Sequence, residues 1–141
     1  MRYVVSGSLL VAGIINLLPL TGVIGARRLE ALYGVAFDNP TTLLLMRHRA
    51  VLFGLLGFLL LYAALRPGIR TAAFALELGS VLSFIVLAGY DGWSYSREIH
   101  RVVAADWIAL MALVAGSIAH AAETRQSRAT TPASSTGRAP V

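Results

Sequence analysis

Residues 39–65 read NPTTLLLMRHRAVLFGLLGFLLLYAAL. Asn39 followed by Pro40 is a helix start, because an asparagine side chain caps exposed amides and proline fits the first turn. From Pro40 to Leu65 nothing breaks the helix, and RPGIR at 66–70 then ends it with proline and glycine. At ~1.5 Å per residue this stretch is longer than the ~30 Å hydrocarbon core of a bilayer is thick. It reads as a membrane helix, and near its start it carries Arg47, His48 and Arg49.

Three more apolar runs flank it. The first, Tyr3–Ile24, is long enough to span and holds Asn16 and Pro19, both tolerated where neighbouring helices supply partners. Arg2 ahead of it and small residues near Gly25 and Ala26 give some look of a secretory signal. The run exceeds the usual signal core of about 7 to 15 residues, so a retained helix is expected. The third covers about Thr71–Tyr90 and the fourth about Arg101–Ala121. Between the first two, Leu29, Leu32 and Tyr33 alternate with Arg27, Arg28 and Glu30, which predicts a short amphipathic helix in the headgroup region, ended by Gly34. In the loop after the third run, Tyr90, Trp93 and Tyr95 suit interface anchors. The expected fold is all-α: a four-transmembrane-helix bundle over 1–121, with an interfacial helix between helices 1 and 2. Residues 122–141 are rich in Ser, Thr, Ala and Pro and predict a disordered polar tail.

Composition agrees with that reading. Of 141 residues, 57% are hydrophobic and 13% charged, against roughly 25% charged in a soluble domain. Mean hydropathy is +0.70. There is no cysteine, which removes disulfides, thiol redox chemistry and cysteine-ligated metals. The net charge of +5 comes from arginine without lysine. These arginines flank apolar segments and form no contiguous patch, so nucleic acid is not an expected partner; the lipid bilayer is. Four crossings put both termini on one side. Arg2, Arg66, Arg70, Arg125, Arg128 and Arg138 lie on the terminal face and Arg27, Arg28, Arg97 and Arg101 on the loop face. That bias favours cytoplasmic termini, and it vanishes if Arg47 and Arg49 also reach the loop-face surface.

Helical phase, at about 100° per residue, separates the arginines of the motif. Arg47 shares a stripe with Ala50, Gly54, Gly57 and Phe58, and small residues mark close helix packing in membranes. Arg49 points nearly opposite and is expected to snorkel to the headgroups as an interface anchor. The expectation is an Arg47–Asp106 ion pair inside the bundle, with Asn16 and His48 beside it and His100 capping it. Glu77 shares a stripe with Ala73, Ser80, Phe84 and Ala88 nearer the terminal face, where His120, Arg66 and Arg70 are the expected partners. A carboxyl there is the proton-binding candidate. The plainer alternative for each is structural: an ion pair that fixes helix register, and a carboxyl hydrogen-bonded to a neighbouring helix. No histidine pair has ligand spacing, so neither a metal nor a cofactor is expected. No phosphate loop, nucleophile elbow or zinc-protease pattern occurs.

The runs INLLPLTGVIGARRLEALYGVAFDNPTTLLLMRHRAVLFGLLG, SVLSFIVLAGY and RVVAADWIAL resemble a family of small bacterial four-helix membrane proteins of unknown function, with LYG and RHRAVLFG the clearest parts. The likeness covers about Ile15 to Leu110. It implies a bacterial inner-membrane location and that RHR belongs to a site or packing motif. Some members are automatically labelled phosphopantetheine adenylyltransferase. The soluble enzyme of that name is an α/β protein with an HxGH motif, which this sequence lacks. The layout also looks distantly like DoxX-type proteins, at the level of fold only.

Three functions compete. An accessory or interaction protein, docking a second copy or another membrane protein, predicts a closed bundle with Arg47 against Asp106. A small proton-coupled transporter predicts Glu77 on a water-accessible cavity. A membrane enzyme acting on quinone or lipid predicts a lateral opening beside Arg47 and His48.

Overall fold

The computed structural model describes residues 2–90 and 95–129. It is all-α, and four of its helices are long and apolar enough to cross a membrane. Helix α1 (Arg2–Leu17) passes into a 3₁₀ segment, Leu18–Ile24. Pro19 explains the change: its ring clashes with the carbonyl four residues back and it has no N–H to donate, so the backbone tightens there. The short α2 (Ala26–Tyr33) buries Leu29 and Tyr33 and exposes Arg27, Arg28 and Glu30, the expected amphipathic split. Gly34 ends it at φ 68°, a left-handed conformation suited to glycine, with its N–H donated to the Glu30 carbonyl at 2.7 Å.

Helix α3 (Pro40–Leu65) begins as its sequence dictates, the Asn39 Oδ1 accepting from the Thr41 and Thr42 amides at 2.8 and 3.3 Å. Helix α4 (Arg70–Tyr90) follows a short 3₁₀ turn, and α5 runs Arg97–Ala129. The last helix therefore continues past Ala121 into residues assigned to the tail. Ala121, Ala122, Glu123 and Arg125 are good helix formers, and no proline intervenes before Pro132.

Helix α1 packs on α3 and α5, and α4 closes the ring against both. Val5, Leu9 and Ala12 of α1 meet Leu60 and Ala63 of α3, Phe74 and Val81 of α4, and Ala109 and Leu113 of α5 in one apolar core. Close approach depends on small residues. A methyl on Gly57 would stand 2.9 Å from the Gly13 carbonyl oxygen, and one on Gly116 would collide with the Ser8 hydroxyl. Outward, Leu44, Leu55, Val86, Met111 and Ile118 are 61–70% exposed. Large apolar side chains displayed on all four long helices suit acyl chains and not water. This is a multi-pass membrane protein.

The terminal end is tied by Arg70, which is buried. Its Nε donates to the Ala63 carbonyl at 3.2 Å, and its Nη2 donates to the Ala64 carbonyl and the Ser6 hydroxyl at 2.9 Å each. A guanidinium is thereby spent on the last carbonyls of α3, where the helix dipole favours a cation.

Candidate functional site

The arginine that turns into the bundle is Arg49, not Arg47. Arg47 is exposed, and its Nε donates to the Val23 carbonyl at the end of the 3₁₀ segment, 3.0 Å away. Arg49 is half-buried, with its guanidinium carbon 5.2 Å from the ring centre of Phe53, 5.6 Å from Phe84 and 6.0 Å from Tyr33. The small-residue stripe does not decide this. Buried Ala50, Gly54 and Gly57 centre about 55° from Arg47 and about 105° from Arg49, at about 100° per residue. That stripe by itself favours Arg47. Three aromatic faces override it, because a guanidinium is attracted by ring quadrupoles and gains more where water is scarce.

Asp106 also departs from expectation. It does not pair with Arg47; Arg49 is the cation that acts on it. Asn16 leaves the expected pair as well and donates from Nδ2 to Glu77 Oε1 at 2.6 Å, and to the Ala12 carbonyl at 3.0 Å. Glu77 is fully buried, and its partner is thus neither His120, Arg66 nor Arg70. His120 meets Thr71 at 3.1 Å and stacks on Phe74, Arg66 is exposed, and Arg70 holds α3. The 3₁₀ segment accounts for the Asn16 depth: seven residues at ~2.0 Å rise instead of ~1.5 Å sink it about 3.5 Å further from the loop face. Among the described residues Glu77 Oε2 has no hydrogen-bond partner, and Asp106 is near enough to act on Glu77 electrostatically. The two polar layers read from the sequence are therefore one.

That layer borders a half-open cavity of about 260 Å³. Arg49 and Phe53 come from α3, Asn16 from α1, Leu32 and Tyr33 from α2, and Arg101 and Asp106 from α5. Glu98 adds a second carboxylate. Leu18, exposed on a membrane span, and Arg101, exposed near the start of α5, also line it, so the cavity joins an outward-facing apolar side chain to an exposed cation. Burial pushes the Tyr33 phenol above its ordinary value, with Arg49 pulling it back and Asp106 adding to the rise.

No protein-family model, curated protein or solved structure matches the chain. The cavity must be read from its own chemistry. It joins apolar walls to charges of both signs, the make-up of a site for a molecule that is itself half apolar and half polar.

Of the residues expected at a site, Asn16 and Asp106 line the cavity and Glu77 lies one hydrogen bond behind it. His48 is exposed, and His100 is exposed with Nδ1 2.9 Å from the carbonyl of Ser96, the residue just ahead of its own helix. Neither joins the layer. Tyr90 is exposed at the end of α4, Tyr95 is half-buried, and Trp93 lies outside the described residues. Sequence reasoning missed Tyr33, Phe53, Phe84 and the rim pair Glu98 and Arg101. The usable signal was Tyr33 on the apolar side of the short helix, since a tyrosine at that depth has a ring to offer a neighbouring cation. Among the described residues no three His, Asp or Glu side chains gather as a metal site requires.

Proposed function

We propose that this chain is a binding protein of the bacterial inner membrane, with cytoplasmic termini, that receives the polar head of a membrane-borne amphiphile beside Arg49 and Asp106. One observation carries the reading: a half-open cavity with apolar Leu18 at its mouth and Arg49, Asp106 and Asn16 on its wall. Its volume of about 260 Å³ falls below the roughly 300–1,000 Å³ of sites that enclose a drug-sized ligand, so it fits a head group or ring while the chain lies against the bundle. The likeness of RHRAVLFG to small bacterial membrane proteins supports the inner membrane, and cytoplasmic termini rest on the arginines that flank the spans, leaving aside Arg47 and Arg49, whose inclusion makes the two faces equal. This reading keeps the accessory role and gives it a lipid ligand.

A proton-coupled role for Glu77 has one observation in its favour, the hydrogen bond to Asn16, whose residue borders the cavity. Glu77 itself does not line that cavity, so lipid binding is preferred.

Filling the cavity tests the proposal. Ala105 lines it and is half-buried, so Ala105→Phe occupies the space without adding charge. Native mass spectrometry of the purified full chain should show phospholipid retained by the wild type and lost from the variant at an unchanged thermal midpoint. Equal retention by a folded variant overturns the proposal.

A further inference from the structure

We infer that the head group accepted by this cavity is zwitterionic, pairing a primary ammonium with a phosphate or carboxylate, and that the molecule is a lipid. The inference rests on the cavity being an amphiphile site, as proposed above.

The cavity carries two cations, Arg49 and Arg101, and two carboxylates, Asp106 and Glu98. Among the described residues, none of the four has an opposite charge within 4.0 Å. Among the described residues Arg49 has ring faces around it yet no hydrogen-bond acceptor, and the Asp106 carboxylate has no donor. Arg49, Asp106 and Glu98 are half-buried, and only Arg101 is exposed. Partly desolvated charges are costly unless hydrogen-bonded, so whatever fills the cavity has to serve both signs at once. A purely anionic head answers Arg49 and Arg101 and sets its own charge against Asp106 and Glu98. A neutral ring accepts hydrogen bonds but neutralises neither sign. A zwitterion satisfies all four.

The same geometry selects the kind of ammonium. Quaternary ammonium groups are recognised by aromatic cages, and here the cage of Tyr33, Phe53 and Phe84 is already filled by Arg49. What is left for the ligand's cation is a pair of carboxylates, which want N–H donors. A primary ammonium has three, and a trimethylammonium has none. Leu18 at the mouth, an exposed side chain on a membrane span, points to a lipid as the source of that head and not to a free soluble zwitterion.

The full chain, purified in detergent, is titrated with dioleoyl phosphatidylethanolamine, phosphatidylcholine and phosphatidylglycerol, and separately with soluble phosphoethanolamine. Native mass spectrometry reads occupancy. The ethanolamine lipid should bind at least tenfold more tightly than either other lipid, and soluble phosphoethanolamine should bind far more weakly. Asp106→Asn should shrink the preference for ethanolamine over glycerol lipid, and Arg49→Gln should weaken both. Thermal midpoints identify variants that fold; should Arg49→Gln fail, Asp106→Asn and Glu98→Gln read the preference alone.

Glycerol lipid bound as well as ethanolamine lipid, with no response to Asp106→Asn, overturns the zwitterion while leaving an amphiphile site intact. Choline lipid bound equally well overturns the primary ammonium. Soluble phosphoethanolamine matching the lipid overturns the lipid source. Loss of all lipid binding, or binding indifferent to Ala105→Phe, overturns the underlying reading as well.

Discussion

Glu77 has two carboxyl oxygens and one hydrogen bond, donated by Asn16 at 2.6 Å across α1 and α4. Interhelical polar bonds in membranes average about 0.6 kcal/mol and reach about 1.7 kcal/mol, because the unpaired groups find other partners. Glu77 is fully buried and Asn16 nearly so, so this bond belongs toward the upper end. A double-mutant cycle of Asn16→Ala and Glu77→Ala, measured by reversible unfolding in mixed detergent, should give a coupling of about 1–2 kcal/mol. A coupling near zero would mean the bond contributes nothing to holding α1 on α4. Tyr33 makes a separate prediction in pH. Its phenol is pushed above its ordinary value of 10.0, chiefly by burial. An acid whose folded value is raised favours its protonated form, so its stabilisation is complete below pH 10 and drains as pH climbs through the folded value. The phenolate absorbance missing from Tyr33→Phe should therefore appear above pH 10.0. A midpoint at or below 10 would show that Arg49 outweighs burial.

At the scale of the element, glycine decides how closely helices meet. Gly57 and Gly13 let α3 and α1 touch backbone to backbone: a methyl at Gly57 would lie 2.9 Å from the Gly13 oxygen and 3.0 Å from Leu17 Cγ. A backbone carbonyl cannot swing aside as a side chain can, so Gly57→Ala should cost about 1–3 kcal/mol through forced separation of the pair. Gly79 is the control. It is exposed on α4 with nothing within 4 Å of a methyl, so Gly79→Ala should be neutral or gain up to ~1 kcal/mol from helix propensity. Thermal unfolding of the two variants in one detergent separates close packing from propensity, and equal midpoints would refute the contact. The helices were legible from sequence because lipid allows only long apolar segments with internally paired backbones, and Asn39–Pro40 and Gly34 mark ends by local chemistry. The end of α5 was not legible, because 122–129 is polar yet made of helix formers.

Across the whole molecule, the fold follows from hydropathy, while the site depends on rotations of a fraction of a turn that hydropathy does not record. The small-residue stripe of α3 lies closer in phase to Arg47 than to Arg49, and the arrival of Tyr33 from α2 and Phe84 from α4 overrides it. The added depth of Asn16 comes from a 3₁₀ stretch that Pro19 permits but does not announce. Sidedness is another whole-molecule property, and the structure changes how its arithmetic is done. Arg47 is exposed near the loop face, whereas Arg49 is enclosed by rings and Arg70 is committed to α3 carbonyls. Counted as segments are inserted, before any of these contacts exist, the arginines divide evenly between the faces. A margin this small should be tunable. A C-terminal green fluorescent protein fusion should be bright and the matching alkaline phosphatase fusion inactive, as cytoplasmic termini require. Adding three lysines to the stretch 35–38, exposed save for half-buried Phe37, should then raise phosphatase activity and dim the fluorescence in the same cells, because the loop now competes for the cytoplasm. If phosphatase is active on the unmodified chain, the termini face outward. If the added lysines change nothing, a determinant other than loop charge, such as early insertion of the first helix, fixes the topology.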